Sequence, residues 1–184
     1  MLLCAEAPTG HYRLRWSKLW QTSAPFGCPL LRFSTPSSDS LLLVGLETCE
    51  ELWVAAPPHV AYARAGADVV MNASASHHEL RKLGSRVRLV QSASAKKLAY
   101  AYANLVGCDS GRACYDGGAI VAVCGSVVCL GSCFGMDEVQ TTTVTINIQD
   151  VRKSRKSDAV QVTEEVEILH VSYLLFPSSI HAYY

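Results

Sequence analysis

The sequence predicts an α/β fold with a mixed sheet, on three observations. Short apolar runs alternate with segments of helical spacing over residues 41–104, as in parallel strands joined by helices. Residues 115–130 hold two β-branched runs around Gly125 and Ser126, a hairpin signal that adds antiparallel strands. Hydrophobic residues make up 49% and charged residues 17% of the 184-residue chain, which suits one well-buried domain.

The first predicted elements follow an irregular stretch that extends over residues 1–40. Residues 41–46 form a short, fully apolar run and predict a buried strand. Residues 57–66 predict a short helix, because two prolines suit its first turn and Gly66 suits its C-terminal cap. Residues 68–72 predict a second strand.

A longer helix is predicted after Ser74 or Ser76, either of which suits its N-terminal cap, with Glu79 as the capping-box partner of Ser76. Apolar residues at three- and four-residue spacing continue it to Val90. Residues 98–104 then predict a strand and residues 107–111 a loop. Residues 139–148, rich in Thr, Val and Ile, predict a further strand, and Asp150 suits the start of a closing helix.

Composition and charge argue against several classes of partner. The formal net charge is zero and the isoelectric point is near 7.0, so we expect no nucleic-acid partner and no anionic membrane surface. No stretch reaches the roughly 18 apolar residues of a membrane span, and residues 1–6 lack the basic region of a secretory signal. We therefore expect a cytoplasmic protein whose eight cysteines are reduced thiols.

Cys49 is the most informative residue in the chain. It follows the strand predicted at residues 41–46 and precedes two acids and a helix start, so a strand-to-helix turn would present it at the rim of the sheet. Backbone N–H groups at such a turn favour a thiolate and can hold a developing oxyanion. The alternative is a buried cysteine that packs as a small hydrophobe.

Six segments together carry a resemblance to a known family. They are Tyr12-Arg13-Leu14-Arg15-Trp16, Cys49-Glu50-Glu51-Leu52-Trp53 with Pro57-Pro58-His59, Asn72-Ala73-Ser74-Ala75-Ser76-His77-His78-Glu79-Leu80-Arg81-Lys82, Gly107-Cys108-Asp109, Tyr115-Asp116-Gly117, and Gly131-Ser132 followed by Asp137-Glu138-Val139. In order and spacing, from about residue 12 to 152, the chain resembles the glutaminase domain of eukaryotic glutamine-dependent NAD synthetases. That domain belongs to the nitrilase, or carbon–nitrogen hydrolase, superfamily.

The resemblance implies a partial nitrilase-like α-β-β-α sandwich and a Glu-Lys-Cys triad. Cys49 matches the nucleophile that attacks the side-chain amide of glutamine, and the ammonia released leaves for a separate synthetase active site. A free thiol with a pKa near ~8.5 is mostly protonated at neutral pH, so it needs a neighbouring base. Ser76 and Arg81 match positions that contact the glutamine head group, with Lys82 as a substitute for Arg81.

The resemblance also predicts how the chain is organised. Residues 1–156 are expected to form a partial glutaminase domain and residues 157–184 a divergent, poorly ordered tail. In the family, the catalytic glutamate and lysine precede the segment that matches residues 12–16, and a synthetase domain follows the glutaminase domain. The chain therefore resembles a fragment truncated at both ends. We expect an exposed edge or apolar face to remain.

The expected cofactors and partners follow from the same resemblance. No cofactor is expected in this chain, because ATP and deamido-NAD would belong to the synthetase domain. The expected partners are glutamine and either that NAD synthetase domain or a second copy in a homo-oligomer.

Two other interpretations stay open. The fold could persist as a catalytically inactive binding or assembly module. His77, His78, Cys108 and Cys114 are candidate metal ligands, although adjacent histidines rarely bind one ion well and a capping or packing role is favoured.

Overall fold

A computed structural model describes residues 10–13, 23–35, 38–156, 166 and 168–171. The strands are β1 (Gly10–Arg13), β2 (Ser23–Phe26), β3 (Leu30–Thr35), β4 (Ser38–Thr48), β5 (Val69–Ser74), β6 (Ala99–Asn104), β7 (Val106–Asp109), β8 (Ala113–Asp116), β9 (Ile120–Val123), β10 (Ser126–Leu130) and β11 (Ile168–Val171). The helices are α1 (Pro58–Arg64), α2 (Lys82–Ser94) and α3 (Ile148–Lys156), and a 3₁₀ segment, the Cys49 turn, spans Cys49–Leu52. None of the helices described is long and apolar enough to cross a membrane.

The main sheet is mixed, as predicted. It has seven strands in the order β10-β9-β6-β5-β4-β3-β11. β4, β5 and β6 run parallel, β9 pairs antiparallel with β6, and β3 pairs antiparallel with β4. β11 joins β3 in parallel and comes from the range predicted to be a divergent tail. The domain boundary at residue 156 stays a prediction.

The two faces of this sheet are covered differently. Helices α1 and α2 cover one face, where Tyr62, Val70, Val90 and Tyr100 belong to one buried cluster. On the other face, Ile146 and Ile148 pack against the start of the parallel strands. Further along that face the side chains of β4 and β5 are open, since Leu46 is 49% and Met71 47% exposed. The described chain therefore leaves an apolar patch on one face of the sheet, as expected.

The strand prediction for residues 41–46, the helix over residues 57–66 and the strand over residues 68–72 are confirmed by β4, α1 and β5. Gly66 lies just beyond α1 with a φ of 87°, which fits the predicted cap. The two-strand hairpin around Gly125 is also confirmed, as β9 and β10.

Four local predictions are wrong. The stretch over residues 1–40 is not irregular, since β1, β2 and β3 lie within it and β4 begins there. Helix α2 begins at Lys82 rather than after Ser76, because the side chain of Asn104 binds both backbone groups of Ser76 and holds that segment extended. Residues 107–111 are not a plain loop, since β7 and β8 pair there. Residues 139–148 form no strand in the described structure; Ile146 and Ile148 pack on the sheet face instead of pairing at its edge, and Val139 is exposed.

The cysteine expectation needs one correction. Six described cysteines are free, in line with reduced thiols, but Cys28 is disulfide-bonded.

Asp68 fastens α3 to the start of the parallel strands. This buried carboxylate accepts hydrogen bonds from the backbone N–H of Leu43 at 3.1 Å and from Arg152 Nε at 3.0 Å, and it also pairs with Arg155. Burial raises the pKa of Asp68, but the hydrogen bonds from Arg152, Leu43 and Arg155 outweigh it and leave the pKa below its ordinary value. The charged form of Asp68 therefore stabilises the fold.

We predict that Asp68→Asn lowers stability at pH 7 by roughly 2–3 kcal/mol, because two arginines lose their buried counter-charge. A depressed carboxyl pKa contributes stability that is present above the unfolded-state value of about 4 and is lost as pH falls through the folded-state value. The variant should consequently show a shallower loss of stability below pH ~4. Urea unfolding at several pH values measures both effects. The exposed Asp150→Asn serves as control, and equal behaviour of the two variants would contradict the assignment.

A second prediction concerns the close approach of α1 to β4 at Gly45. A Cβ at Gly45 would lie 2.5 Å from a ring carbon of Tyr62, a side chain that is itself 1% exposed and cannot move freely. Gly45→Ala should destabilise the protein by about 1–3 kcal/mol. Gly84→Ala is the matched control, since it meets only the end of Arg88 at 3.6 Å and should stabilise α2 by about 0.5–1 kcal/mol. Thermal unfolding that ranks the two variants in the opposite order would refute this packing argument.

Candidate functional site

Cys49 lies where the chain leaves β4, at the first position of the Cys49 turn. Its φ is 45°, in the left-handed region that non-glycine residues rarely adopt and that clusters at functional sites. The turn is held by a capping box, in which the backbone N–H of Thr48 donates to Glu51 Oε2 at 2.6 Å. The thiol is half-buried rather than enclosed. The expected strand-to-helix turn is therefore present, and it holds Cys49 in a constrained conformation.

The parallel strands bring other polar groups to the same edge of the sheet. Thr48 is opposite Ala73, and Ser74 is opposite Asn104, so β4, β5 and β6 end together. Ser76, buried just beyond β5, donates its backbone N–H to Asn104 Oδ1 at 2.8 Å and accepts from Asn104 Nδ2 at 3.1 Å. Side chains at the carboxyl ends of parallel strands are placed for binding or catalysis.

Tyr102 connects the thiol with the serines at this edge. Burial raises the pKa of Tyr102, hydrogen bonds with Ser74 and Ser76 oppose the rise, and the charge of Cys49 adds to it. The phenol thus lies within electrostatic reach of Cys49 while it contacts the segment that carries Ser76. The structure brings Cys49 and Ser76, two of the predicted site residues, to the same edge of the sheet.

Arg81 and Lys82 are placed differently from each other. Arg81 is exposed and has a φ of 67°, at the residue that precedes α2. The Lys82 ammonium lies 5.9 Å from the ring centroid of Trp53, just after the Cys49 turn, and 3.6 Å from Glu79 Oε1. Lys82 is therefore turned toward the segment that carries Cys49, and Arg81 lies at the rim. Which of them binds a ligand stays a prediction.

A buried carboxylate two residues before Cys49 was not anticipated. Glu47 Oε1 accepts the backbone N–H of His59 at 2.5 Å and lies 2.9 Å from His59 Nδ1, and Oε2 accepts the Tyr100 hydroxyl. The Glu47 side chain has no exposed surface. Burial raises the pKa of Tyr100, and the adjacent Glu47 charge raises it further. The sequence held one signal that could have revealed this buried group: Glu47 is an acidic residue on the helix-facing side of an otherwise apolar strand.

A second buried charge lies beyond β8. Asp116 accepts two hydrogen bonds from Arg86 Nη2, at 2.6 and 2.7 Å, and its Oδ2 lies 3.0 Å from His78 Nδ1. Arg86 is fully buried and also donates to the carbonyl oxygen of Gly117 at 3.0 Å. Burial raises the pKa of Asp116, but Arg86 and His78 outweigh it and hold the pKa low. This group ties α2 and the segment with Ser76 to β8.

The four candidate metal ligands do not converge. His77 Nε2 pairs with Glu79 at 2.6 Å, His78 pairs with Asp116, and the sulfurs of Cys108 and Cys114 contact each other at 3.2 Å. Across the described ranges, no group of three or more His, Cys, Asp or Glu side chains is arranged to hold a metal ion.

Comparison with known proteins places this geometry in context. The model of the family described as carbon-nitrogen hydrolase matches residues 11–156. The chain is 40% identical over 167 residues to the glutamine-dependent NAD(+) synthetase of Macaca fascicularis, covering 82% of this chain and 24% of that protein. It is 43% identical over 113 residues to the Saccharomyces cerevisiae enzyme of the same name, covering 61% of this chain and 16% of that protein. The chain thus spans about a quarter or less of the length of these curated relatives.

Solved structures agree on the fold. A glutamine-dependent NAD(+) synthetase from Cytophaga hutchinsonii superposes with a TM-score of 0.55 and 27% identity, over 71% of this chain and 19% of that one. A carbon-nitrogen hydrolase from Helicobacter pylori G27 superposes with a TM-score of 0.56 over 73% of this chain and 49% of that one, and at 18% identity it supports the fold alone.

We predict that Glu47→Ala destabilises the protein by about 3 kcal/mol, because it leaves the His59 and Tyr100 donors buried without an acceptor. Glu50→Ala is the matched control, since Glu50 is exposed on the same turn and should cost less than ~0.5 kcal/mol. The midpoint of urea unfolding measures both. A loss for Glu47→Ala no larger than for Glu50→Ala would show that the cluster does not support the turn.

Proposed function

Because the chain belongs to the carbon–nitrogen hydrolase family and is homologous to the glutaminase part of glutamine-dependent NAD synthetases, we propose that Cys49 is the nucleophile that hydrolyses the side-chain amide of glutamine. The observation that carries the proposal is the placement of Cys49. A half-buried thiol in a left-handed backbone conformation follows a parallel strand, at the same sheet edge as the buried Ser76.

The proposed reaction has two stages. The Cys49 thiolate attacks the amide carbon, and the tetrahedral intermediate collapses when the amide nitrogen takes a proton and leaves as ammonia. The resulting thioester is then hydrolysed by water to glutamate and the free thiol. A strained, preorganised nucleophile at a sheet edge suits such a step, because its position is fixed before the substrate binds.

Recognition of the glutamine head group is assigned to the segment that follows β5. Ser76 is held rigidly by Asn104, so its hydroxyl has a defined position near Tyr102. The Arg81 guanidinium is exposed and can pair with both oxygens of an α-carboxylate. Lys82, which lies against Trp53, is the second candidate for that charge.

Two acids beside Cys49 are not assigned as the proton acceptor, because both already accept hydrogen bonds. Glu51 accepts the Thr48 N–H within the capping box, and Glu47 accepts bonds from His59 and Tyr100. The resemblance assigns the roles of proton acceptor and oxyanion donor to a glutamate and a lysine that precede the segment matching residues 12–16. The ammonia is proposed to pass to a synthetase domain, which would use the ATP and deamido-NAD.

We predict that an electrophilic glutamine analogue, with a chloromethyl ketone in place of the amide, labels Cys49 and that glutamine protects against labelling. Labelling needs only the thiol and the head-group pocket, so it tests the nucleophile without requiring turnover. Cys49→Ala should abolish the labelled peptide in mass spectrometry. Ser76→Ala and Arg81→Ala should weaken protection by about tenfold or more, because each removes a hydrogen bond to a charged group.

Arg88→Ala is the control for Arg81→Ala, since it removes another exposed arginine of the same region. Lys82→Ala distinguishes the two candidate cations, because only the one that binds the carboxylate should affect protection. Ammonia release from glutamine is measured in parallel. If Cys49 and Cys129 are labelled equally and glutamine protects neither, the amidase assignment fails and a non-catalytic binding module is favoured.

A further inference from the structure

Two cysteines face each other across the β7–β8 hairpin. Cys108 and Cys114 are direct partners in the antiparallel register. The Cys108 thiol donates to the sulfur of Cys114, and the two sulfurs are 3.2 Å apart. Both residues are free and exposed. Neither takes part in the proposed amide hydrolysis.

We propose that Cys108 and Cys114 are a redox modification site, which forms a reversible disulfide by exchange with a low-molecular-weight disulfide such as oxidised glutathione. Residues directly opposite in an antiparallel pair have Cα atoms about 4.5–5.5 Å apart, inside the range that disulfides span. A sulfur–sulfur bond is about 2.05 Å long, so the sulfurs need to approach by only about an ångström. The proposal is independent of the role of Cys49.

The exchange is balanced in atoms and electrons. The Cys114 thiolate attacks one sulfur of oxidised glutathione, which forms a mixed disulfide and expels one glutathione thiolate. The Cys108 sulfur then attacks the Cys114 sulfur, forms the intramolecular bond and expels the second glutathione thiolate. The two cysteine thiols lose two electrons and two protons, and the reagent gains them as two molecules of reduced glutathione.

Exposure and proximity both favour this pair over the other cysteines. The reagent can reach either sulfur, because both side chains are at the surface. The neighbouring Cys114 sulfur raises the pKa of Cys108, and the 3.2 Å separation places that thiol next to the mixed disulfide it must attack. Cys124 is only half-exposed, and its sulfur contacts Ser154 Oγ at 3.3 Å rather than another thiol.

The hairpin is joined to the segment that carries Ser76. The backbone N–H of His78 donates to the carbonyl oxygen of Cys114 at 2.6 Å, and Asp116 at the end of β8 pairs with the His78 ring. A bond between Cys108 and Cys114 closes a short loop and removes freedom from the hairpin. Oxidation would therefore reduce the mobility of β8, the strand that the segment with Ser76 contacts.

The test uses the purified full chain equilibrated with mixtures of oxidised and reduced glutathione, followed by blocking with N-ethylmaleimide in denaturant and mass spectrometry. Arg112 lies between the two cysteines, so trypsin places them on peptides 98–112 and 113–152. These peptides stay joined only through a disulfide. The expected result is an intact chain that carries two fewer N-ethylmaleimide adducts than the reduced chain, with the two peptides joined until reductant is added.

Peptide 113–152 also contains Cys124, Cys129 and Cys133, so variants identify the partner. Cys114→Ser should abolish the joined peptides and leave a glutathione adduct on peptide 98–112. A triple Cys124→Ser, Cys129→Ser, Cys133→Ser variant should keep them joined. Amide exchange over residues 107–115 should slow roughly tenfold or more on oxidation of the wild type, but not of Cys108→Ser. Joined peptides in Cys114→Ser, or a fully blocked peptide 98–112 in the oxidised wild type, would overturn the proposal.

Discussion

The common end point of β4, β5 and β6 is the constraint on which the rest of the structure depends. Because these strands are parallel and in register, the residues that follow them meet at one edge of the sheet: the Cys49 turn, the segment with Ser76, and Asn104 itself. Asn104 then fixes Ser76 through both of its backbone groups. A one-residue slip in this pairing would turn every side chain to the opposite face and take the site apart.

Two buried carboxylates maintain that edge. Glu47 lies under the Cys49 turn, and Asp116 lies under the segment with Ser76. An isolated buried charge is costly, so each has several donors: His59 and Tyr100 for Glu47, and Arg86 with His78 for Asp116. These bonds link β4 to α1 and β8 to α2, so the strand before the Cys49 turn and the segment with Ser76 are each held by a buried charge. Polar contacts of this kind set geometry more than they add net stability.

The same connections relate the surface thiols to the site. Cys114 is two residues from Asp116, and its carbonyl oxygen binds the backbone of His78. The β7–β8 hairpin is therefore joined to the Ser76 segment by one hydrogen bond and one ion pair. The hairpin itself lies outside the main strand order.

The sequence by itself determined the elements whose signals are local. The apolar run of β4, the proline start and glycine end of α1, the hairpin of β9 and β10, and the position of Cys49 after a strand are all encoded within a few neighbouring residues. Only the tertiary structure decided where α2 begins, since Asn104 lies 28 residues beyond Ser76, and that Ile146 and Ile148 pack on the sheet face instead of joining a strand. It alone paired Glu47 with His59 and Tyr100, and Asp116 with Arg86. Periodicity predicts which side of an element is buried. It does not predict the partner of a buried polar group, because that partner lies far away in the sequence.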